Sequence, residues 1–297
     1  MTTVRILKNK IINISFKQIG VTILGLKLVL IIYFSFLLFE SDQNLLSFDS
    51  TFFIFLTIGF FAQLIDGALG MAYGISCTTL LMNFGIPPAL ASASVHTSEI
   101  FTTGISGLSH IKFNNIDKSL FLKLAIFGIL GAVMGAYLLA GVFHNGAIKP
   151  FVALYILILG IYLIYKGFAK QIKDNNNIKR APLLALVGGF LDAMGGGGWG
   201  PIVTSNLLAQ GKNPRQAIGT VNTAEFFVTY SATAIFIFVL GVEYWQIILG
   251  LIVGGIISAP LGAYAASRVN RKFLFFLIGV MIILTSSYTL YQSYLEA

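Results

Sequence analysis

Charge is what this chain lacks. Only 10% of its 297 residues are Asp, Glu, Lys or Arg, where soluble domains carry about 25%. Apolar residues make up 57% and mean hydropathy is +0.87, and several apolar runs reach 18 residues or more. A soluble core of this length cannot hide so much apolar surface, so the chain reads as a multi-span helical membrane protein. Cys77 is its one cysteine, which excludes an intrachain disulfide and a thiolate metal framework. There is no P-loop, no zinc signature and no polar stretch long enough for an ATP-binding domain. That argues against primary pumping by this chain alone, and no cofactor or bound metal is expected. The formal charge of +8 comes from Lys and Arg in short runs between apolar segments. This is the orientation signal of membrane proteins, not a nucleic-acid face.

What is present is a repeat. At an offset of 126 residues, Ile65-Asp66-Gly67-Ala68-Leu69-Gly70-Met71-Ala72-Tyr73-Gly74 overlies Leu191-Asp192-Ala193-Met194-Gly195-Gly196-Gly197-Gly198-Trp199-Gly200, and His96-Thr97-Ser98-Glu99 overlies Asn222-Thr223-Ala224-Glu225. From residue 63 to 103 about thirteen of 41 positions match without a gap. Two glycine-interrupted apolar segments at equivalent places in two halves point to a transporter binding site.

Apolar segments fall at 19–39, 51–84, 88–109, 119–142, 150–168, 182–209, 215–240, 245–267 and 273–291. If every one crossed once with the N-terminus inside, the run from Lys166 to Arg180 would lie outside, against the positive-inside rule. If 51–84 and 182–209 are instead re-entrant, every basic residue except Lys27 and Lys149 becomes cytoplasmic. Each half then holds a re-entrant pair plus three spans, an odd number, so the halves are inverted. The resulting expectation is an all-α integral membrane protein of two inverted repeats, preceded by one extra span. Residues 1–18 form a cytoplasmic, weakly amphipathic N-terminus, 19–39 a retained first span rather than a signal peptide, 51–168 the first repeat and 182–291 the second. Residues 51–84 are also long enough to cross once, so eight or nine full spans stay open.

Four acids, Asp66, Glu99, Asp192 and Glu225, fall well inside apolar segments, with no Lys or Arg placed to pair with them. A charge at mid-bilayer costs at least about 2.5–3.5 kcal/mol, so such groups serve function or find partners. Proton coupling is one reading. Capping of exposed backbone N–H groups at the breaks is the other, and for Asp66 and Asp192 the two are evenly matched. The breaks themselves, Gly67, Gly70 and Gly74 and the run Gly195, Gly196, Gly197, Gly198, Trp199 and Gly200, offer backbone N–H groups to an anion where Pro201 restarts the helix. His96 shares a helix face with Glu99. Asn222 stands in its place in the second half, and Thr97 and Thr223 add hydroxyls. A hydrolase built on His96 and Ser94 is a thin alternative, and the chain is not read as an enzyme.

The doubled arrangement of a glycine-broken helix with Asp, followed by a Pro-initiated helix carrying Thr-x-Glu, resembles the sulfite exporter TauE/SafE family of bacterial membrane proteins over roughly residues 50–292. The resemblance implies export or uptake of small sulfur-containing anions such as sulfite or organosulfonates. It points to Gly67, Gly70, Gly74, Gly195–Gly200, Thr97, Glu99, Thr223 and Glu225. The expected activity is a secondary transporter in the bacterial inner membrane, with protons as coupling ion and alternating access between the repeats. Its partners are the anion and the lipid bilayer; a homo-oligomer is left open. The competing expectation is a Na⁺, Ca²⁺ or proton exchanger that binds cations on the four acids.

Overall fold

The computed structural model describes residues 15–40, 50–69, 71–143, 148–168, 178, 180–241, 245–266 and 271–295. Every regular element among them is helical. Helix α1 spans Phe16–Glu40, α2 Ser50–Leu69, α3 Tyr73–Asn83, α4 Pro88–Lys112, α5 Lys118–Tyr137, α6 Lys149–Phe168, α7 Ala181–Gly195, α8 Ser205–Ala209, α9 Pro214–Leu240, α10 Trp245–Ala266 and α11 Arg271–Leu295. Wider π-turns extend α5 through Leu138–Val142 and lead into α8 over Gly200–Thr204. The segment expected at 19–39 is the body of α1, which begins at Phe16. The rest of the proposed N-terminal arm, residues 1–14, lies outside the described residues.

Five stretches are long and apolar enough to cross a membrane: Phe16–Phe36, Lys118–Val142, Lys149–Phe168, Gln216–Leu240 and Phe275–Leu295. The chain is therefore a multi-pass membrane protein. Large apolar side chains stay exposed along α1 (Val21, Leu24, Leu28, Ile32, Phe36) and α11 (Phe276, Leu284, Tyr288), the arrangement a helix face adopts when its solvent is lipid. Polar side chains turn inward instead. On α4 alone Ser92, Ser94, His96, Thr97, Ser98, Glu99 and Thr103 are all buried.

Both expected interruptions are breaks between helices. The segment 51–84 divides between α2 and α3, and 182–209 divides between α7 and the Gly200–Thr204 turn. Prolines start the helices that follow or flank these breaks: Pro88 lies in the first turn of α4, Pro182 in that of α7 and Pro201 in the turn leading to α8. There the missing N–H costs no intrahelical bond.

Packing interleaves the two halves. The pair α4–α9 forms the centre. Around it α2 lies on α10 while α7 lies on α5, and α6 lies on α11. Exchange of the halves at the 126-residue offset turns the α2–α10 pairing into α7–α5 and maps α4–α9 and α6–α11 each onto itself. Glycines permit the closest crossings. A methyl on Gly131 would strike the Leu186 carbonyl and one on Gly254 the Leu56 carbonyl, so in both crossings the helices approach backbone to backbone. One apolar core joins α5 to α7 and α9; the other joins α2, α3 and α6 to α10 and α11.

One polar clamp ties the halves outside the apolar core. Lys212 Nζ, buried, donates to Asp117 Oδ2 at 2.8 Å, and the Asp117 N–H donates to Thr220 Oγ1 at 2.9 Å. Asp117 also caps α5, accepting from the Leu120 N–H at 3.1 Å. Burial would raise the Asp117 carboxyl, but the bonds from Lys212 and Leu120 outweigh it and hold the group below its ordinary value. Its folded pKa is depressed, so this contribution is present above the unfolded value near 4 and is lost as pH falls through the folded one. Asp117→Ala strands a buried ammonium and should cost about 3 kcal/mol. Thermal unfolding in detergent at pH 7 measures it, and Asp117→Ala/Lys212→Met should recover most of the loss.

Candidate functional site

The two breaks meet in the middle of the protein. An ideal Cβ on Gly74 would stand 2.9 Å from Glu99 Oε1, 3.0 Å from the Gly196 carbonyl oxygen and 3.0 Å from Gly197 Cα. Reciprocally, a methyl on Gly197 would strike the backbone of Gly74 and Ile75. Thr78 Oγ1 from α3 donates to the Gly196 carbonyl across the same junction. Gly196 has φ +65° and Gly198 φ +155°, a backbone course open to glycine at little cost. Ala72, the counterpart of Gly198, takes φ +124°, a strained conformation held by the surrounding packing.

Each aspartate bridges its own break. The Tyr73 N–H donates to Asp66 Oδ1 at 3.3 Å, and the Trp199 N–H donates to Asp192 Oδ1 at 2.9 Å. Both bonds join a carboxylate in the last turn of the first half-helix to an N–H seven residues on, where the helix restarts. Asp66 and Asp192 thus satisfy backbone donors that the breaks expose. This is the geometry of the capping role. Both carboxylates also line the cavity described next, so the geometry leaves a coupling role available to them.

A cavity of about 320 Å³ opens beside the crossing. Asp66, Glu99, Asp192 and Glu225 all line it, with Gly74, Gly197, Gly198 and Gly200 from the breaks and Asn222 from α9. Glu99 is 5% exposed, and its Oε2 has no hydrogen-bond partner among the described residues. No Lys or Arg lines the cavity among the described residues. Lys27 does reach the level of Glu99 from α1. Its Nζ donates to the Phe101 carbonyl at 3.4 Å and lies over the Phe101 ring. Among the described residues no group of three or more His, Cys, Asp or Glu side chains is arranged to hold a metal ion.

The other sequence candidates stand behind the cavity wall. His96 is fully buried. Its Nδ1 lies 2.8 Å from the Ser92 carbonyl oxygen and its Nε2 3.2 Å from Asp192 Oδ2. A carbonyl only accepts, so Nδ1 carries a hydrogen. The contact with Asp192 then needs one more proton, on Nε2 or on the carboxyl. Thr97 donates back to the Ala93 carbonyl and Thr223 to that of Gly219. Trp199 is fully buried, its indole N–H donating to the Val221 carbonyl at 3.3 Å. Gly195 ends α7 against the Tyr155 ring, Gly196 caps that helix, and Gly67 lies in the last turn of α2. Gly70 lies outside the described residues.

Sequence reasoning did not single out Gln63, Thr102, Thr103, Ser106, His110 and Ile218 as lining residues. A signal for part of this set was present. Glu99, Thr102, Thr103, Ser106 and His110 recur every three or four residues and so share one face of α4. Tyr155 gave no such signal; its hydroxyl donates to the Gly197 carbonyl at 3.3 Å.

A buried cavity at the junction of two broken helices, walled by carboxylates, suits a small polar solute that crosses with protons or cations. Comparison with known proteins agrees with a transporter. The family profile described as "Sulfite exporter TauE/SafE" matches residues 55–289. "Probable membrane transporter protein YtnM" of Bacillus subtilis (strain 168) is 44% identical over 252 residues, covering 82% of this chain and 83% of the relative. "Probable membrane transporter protein YunE" of the same organism is 20% identical over 269 residues, covering 82% of this chain and 98% of the relative. No solved structure matches. By its family match and by its shared length with YtnM, the chain belongs to the sulfite exporter TauE/SafE family of membrane transporters.

Proposed function

We propose that this protein is a proton-coupled secondary transporter that exports small sulfur-containing anions, such as sulfite or organosulfonates, across the bacterial inner membrane. The observation that carries the reading is one cavity where both glycine breaks meet four carboxyls, one of them, Glu99, with an oxygen left unpartnered among the described residues. The anion class follows the family name. Backbone at the breaks, with the Ser106 hydroxyl, which accepts from Asn222 Nδ2 and keeps its own hydrogen, supplies neutral donors for it. The carboxyls cannot all stay ionised beside an anion, because like charges at short range in a poorly solvated site repel strongly. Protons carried on Glu99 and Glu225, with Asp66 and Asp192 in support, remove that repulsion and couple the two fluxes.

The exchange of helix pairings at the 126-residue offset supports two inverted repeats that alternate access around this cavity. In this orientation the N-terminus and the α4–α5 connection are cytoplasmic. The acid-rich lining also favours a second reading, exchange of Na⁺ or protons without an anion. Flux into proteoliposomes separates the two. Sulfite, sulfoacetate or thiosulfate uptake that rises several-fold when a pH gradient is imposed is the expected result. Absence of anion flux together with a Na⁺-dependent proton signal would replace this reading with the exchanger.

A further inference from the structure

Among the described residues the cavity lining is partly exposed toward one end, and the repeat relates that end to a buried one. Ser106, His110, Ile218 and Asn222 stand at the mouth, each partly exposed. Their counterparts at the 126-residue offset are Ala232, Phe236, Ser92 and His96, and all four are buried. Thr102, another lining residue, corresponds to Val228, which is also buried. Residues equivalent in sequence therefore occupy opposite environments: open where α4 ends and α9 begins, closed where α4 begins and α9 ends.

His96 holds the closed end through three contacts. They are the Ser92 carbonyl at 2.8 Å, Asp192 Oδ2 at 3.2 Å, and the Phe236 ring with centroids 5.9 Å apart. Transposed by the offset, the same contacts become Asn222 to the Ile218 carbonyl, Asn222 to Asp66, and Asn222 to His110. In this structure Asn222 Nδ2 donates instead to Ser106 Oγ at 3.0 Å, and Asp66 is held by the Tyr73 N–H. The Asn222 amide has two N–H hydrogens, the number that bonds to the Ile218 carbonyl and the Asp66 carboxylate would use.

We propose that His96 and Asn222 are the paired gate residues of the transport cycle. With His96 docked on Asp192 the far end is sealed and the mouth is open. In the alternate state Asn222 docks on Asp66, His110 turns in against it, and the release of His96 from Asp192 opens the far end around Ala232 and Phe236. This inference rests on the alternating-access reading above and adds the two side chains that alternate. Each acts as a positioning residue through an aspartate that braces a helix break, so gate movement and break geometry are joined in one contact.

The test is side-specific labelling of cysteine reporters. In a Cys77→Ala background, Thr102→Cys reports the mouth and Ala232→Cys the sealed end, each treated with a membrane-impermeant maleimide from one face of the vesicle at a time. Thr102→Cys should react from the mouth face and Ala232→Cys, more slowly, from the opposite face. His96→Ala should raise the Ala232→Cys rate and lower the Thr102→Cys rate, each roughly tenfold for a modest shift between two states. Asn222→His gives the second half the clamp of the first and should move both rates in the same directions. A His96 that merely supports folding predicts no effect of Asn222→His.

Rates that rise together, labelling of both reporters from one face, or no change in either variant would overturn the proposal. If His96→Ala is not recovered folded, Asn222→His alone decides, and an unchanged Ala232→Cys rate refutes the gate. Labelling needs no substrate, so the two readings fail separately. Reciprocal labelling without sulfite flux sinks the substrate assignment, and flux without reciprocal labelling sinks the gate.

Discussion

Glu99→Gln/Glu225→Gln should lose proton-gradient-driven anion uptake in proteoliposomes by on the order of 100-fold, the scale of a positioned proton-transfer group. Glu99 differs from the aspartates in its bonding. Asp66 and Asp192 each accept a backbone N–H across a break, and Asp192 also meets His96. Glu99 Oε2 has no such partner among the described residues, and Glu99 stands where Gly74 and the second break converge. Gln keeps the shape and removes the titration, so the double variant should fold and assemble as wild type. Downhill anion flux or anion exchange should partly survive, since both need the cavity and not the proton. Wild-type coupling in the double variant would move the coupling role onto Asp66 and Asp192. A loss of Na⁺ signals with no anion flux in either protein would favour the cation exchanger.

Gly197→Ala should destabilise the protein by on the order of 3 kcal/mol, at the upper end of the usual cost of overpacking. The added methyl meets backbone atoms of Gly74 and Ile75, which cannot rotate away as a side chain can. Relief requires the two half-helices to separate, which also disturbs the Thr78 bond to the Gly196 carbonyl and the Tyr155 bond to Gly197. Gly25→Ala is the control, because nothing lies within 4 Å of its added Cβ. Thermal unfolding in detergent should show a drop of several degrees for Gly197→Ala and none for Gly25→Ala. Equal stability of the two variants would mean that the breaks do not cross as closely as the structure places them.

Much of the architecture was legible in the chain because a bilayer imposes simple rules. Long apolar runs must be helical, since lipid offers no partner for backbone N–H and C=O groups, and the runs from Lys118, Lys149 and Gln216 appear as such helices. Glycine clusters mark places where a helix stops and restarts, with Pro201 following the second, and the helices break between Leu69 and Tyr73 and after Gly195. The four acids stood out because no apolar segment carries a carboxyl without reason, and all four face one cavity.

Other assignments depended on distance in space. Nothing local distinguishes Asp66 and Asp192, which reach across a break to an N–H, from Glu99, which leaves an oxygen unpartnered; the difference arises only when the half-helices cross. His96 and Asp192 lie 96 residues apart in the chain and touch through a single contact of 3.2 Å. A periodicity argument places each on a helix face but cannot say which face meets which. Ser106 and His110 are ordinary polar residues in sequence and cavity lining in the fold, whereas their counterparts Ala232 and Phe236 are sealed. Spacing and hydropathy are properties of the chain, and they carry a helical membrane protein of two related halves with breaks and acids at matched positions. Which acids bridge the breaks, how the halves interleave and which end of the cavity is exposed follow from contacts between segments that the repeat makes equivalent and packing makes different.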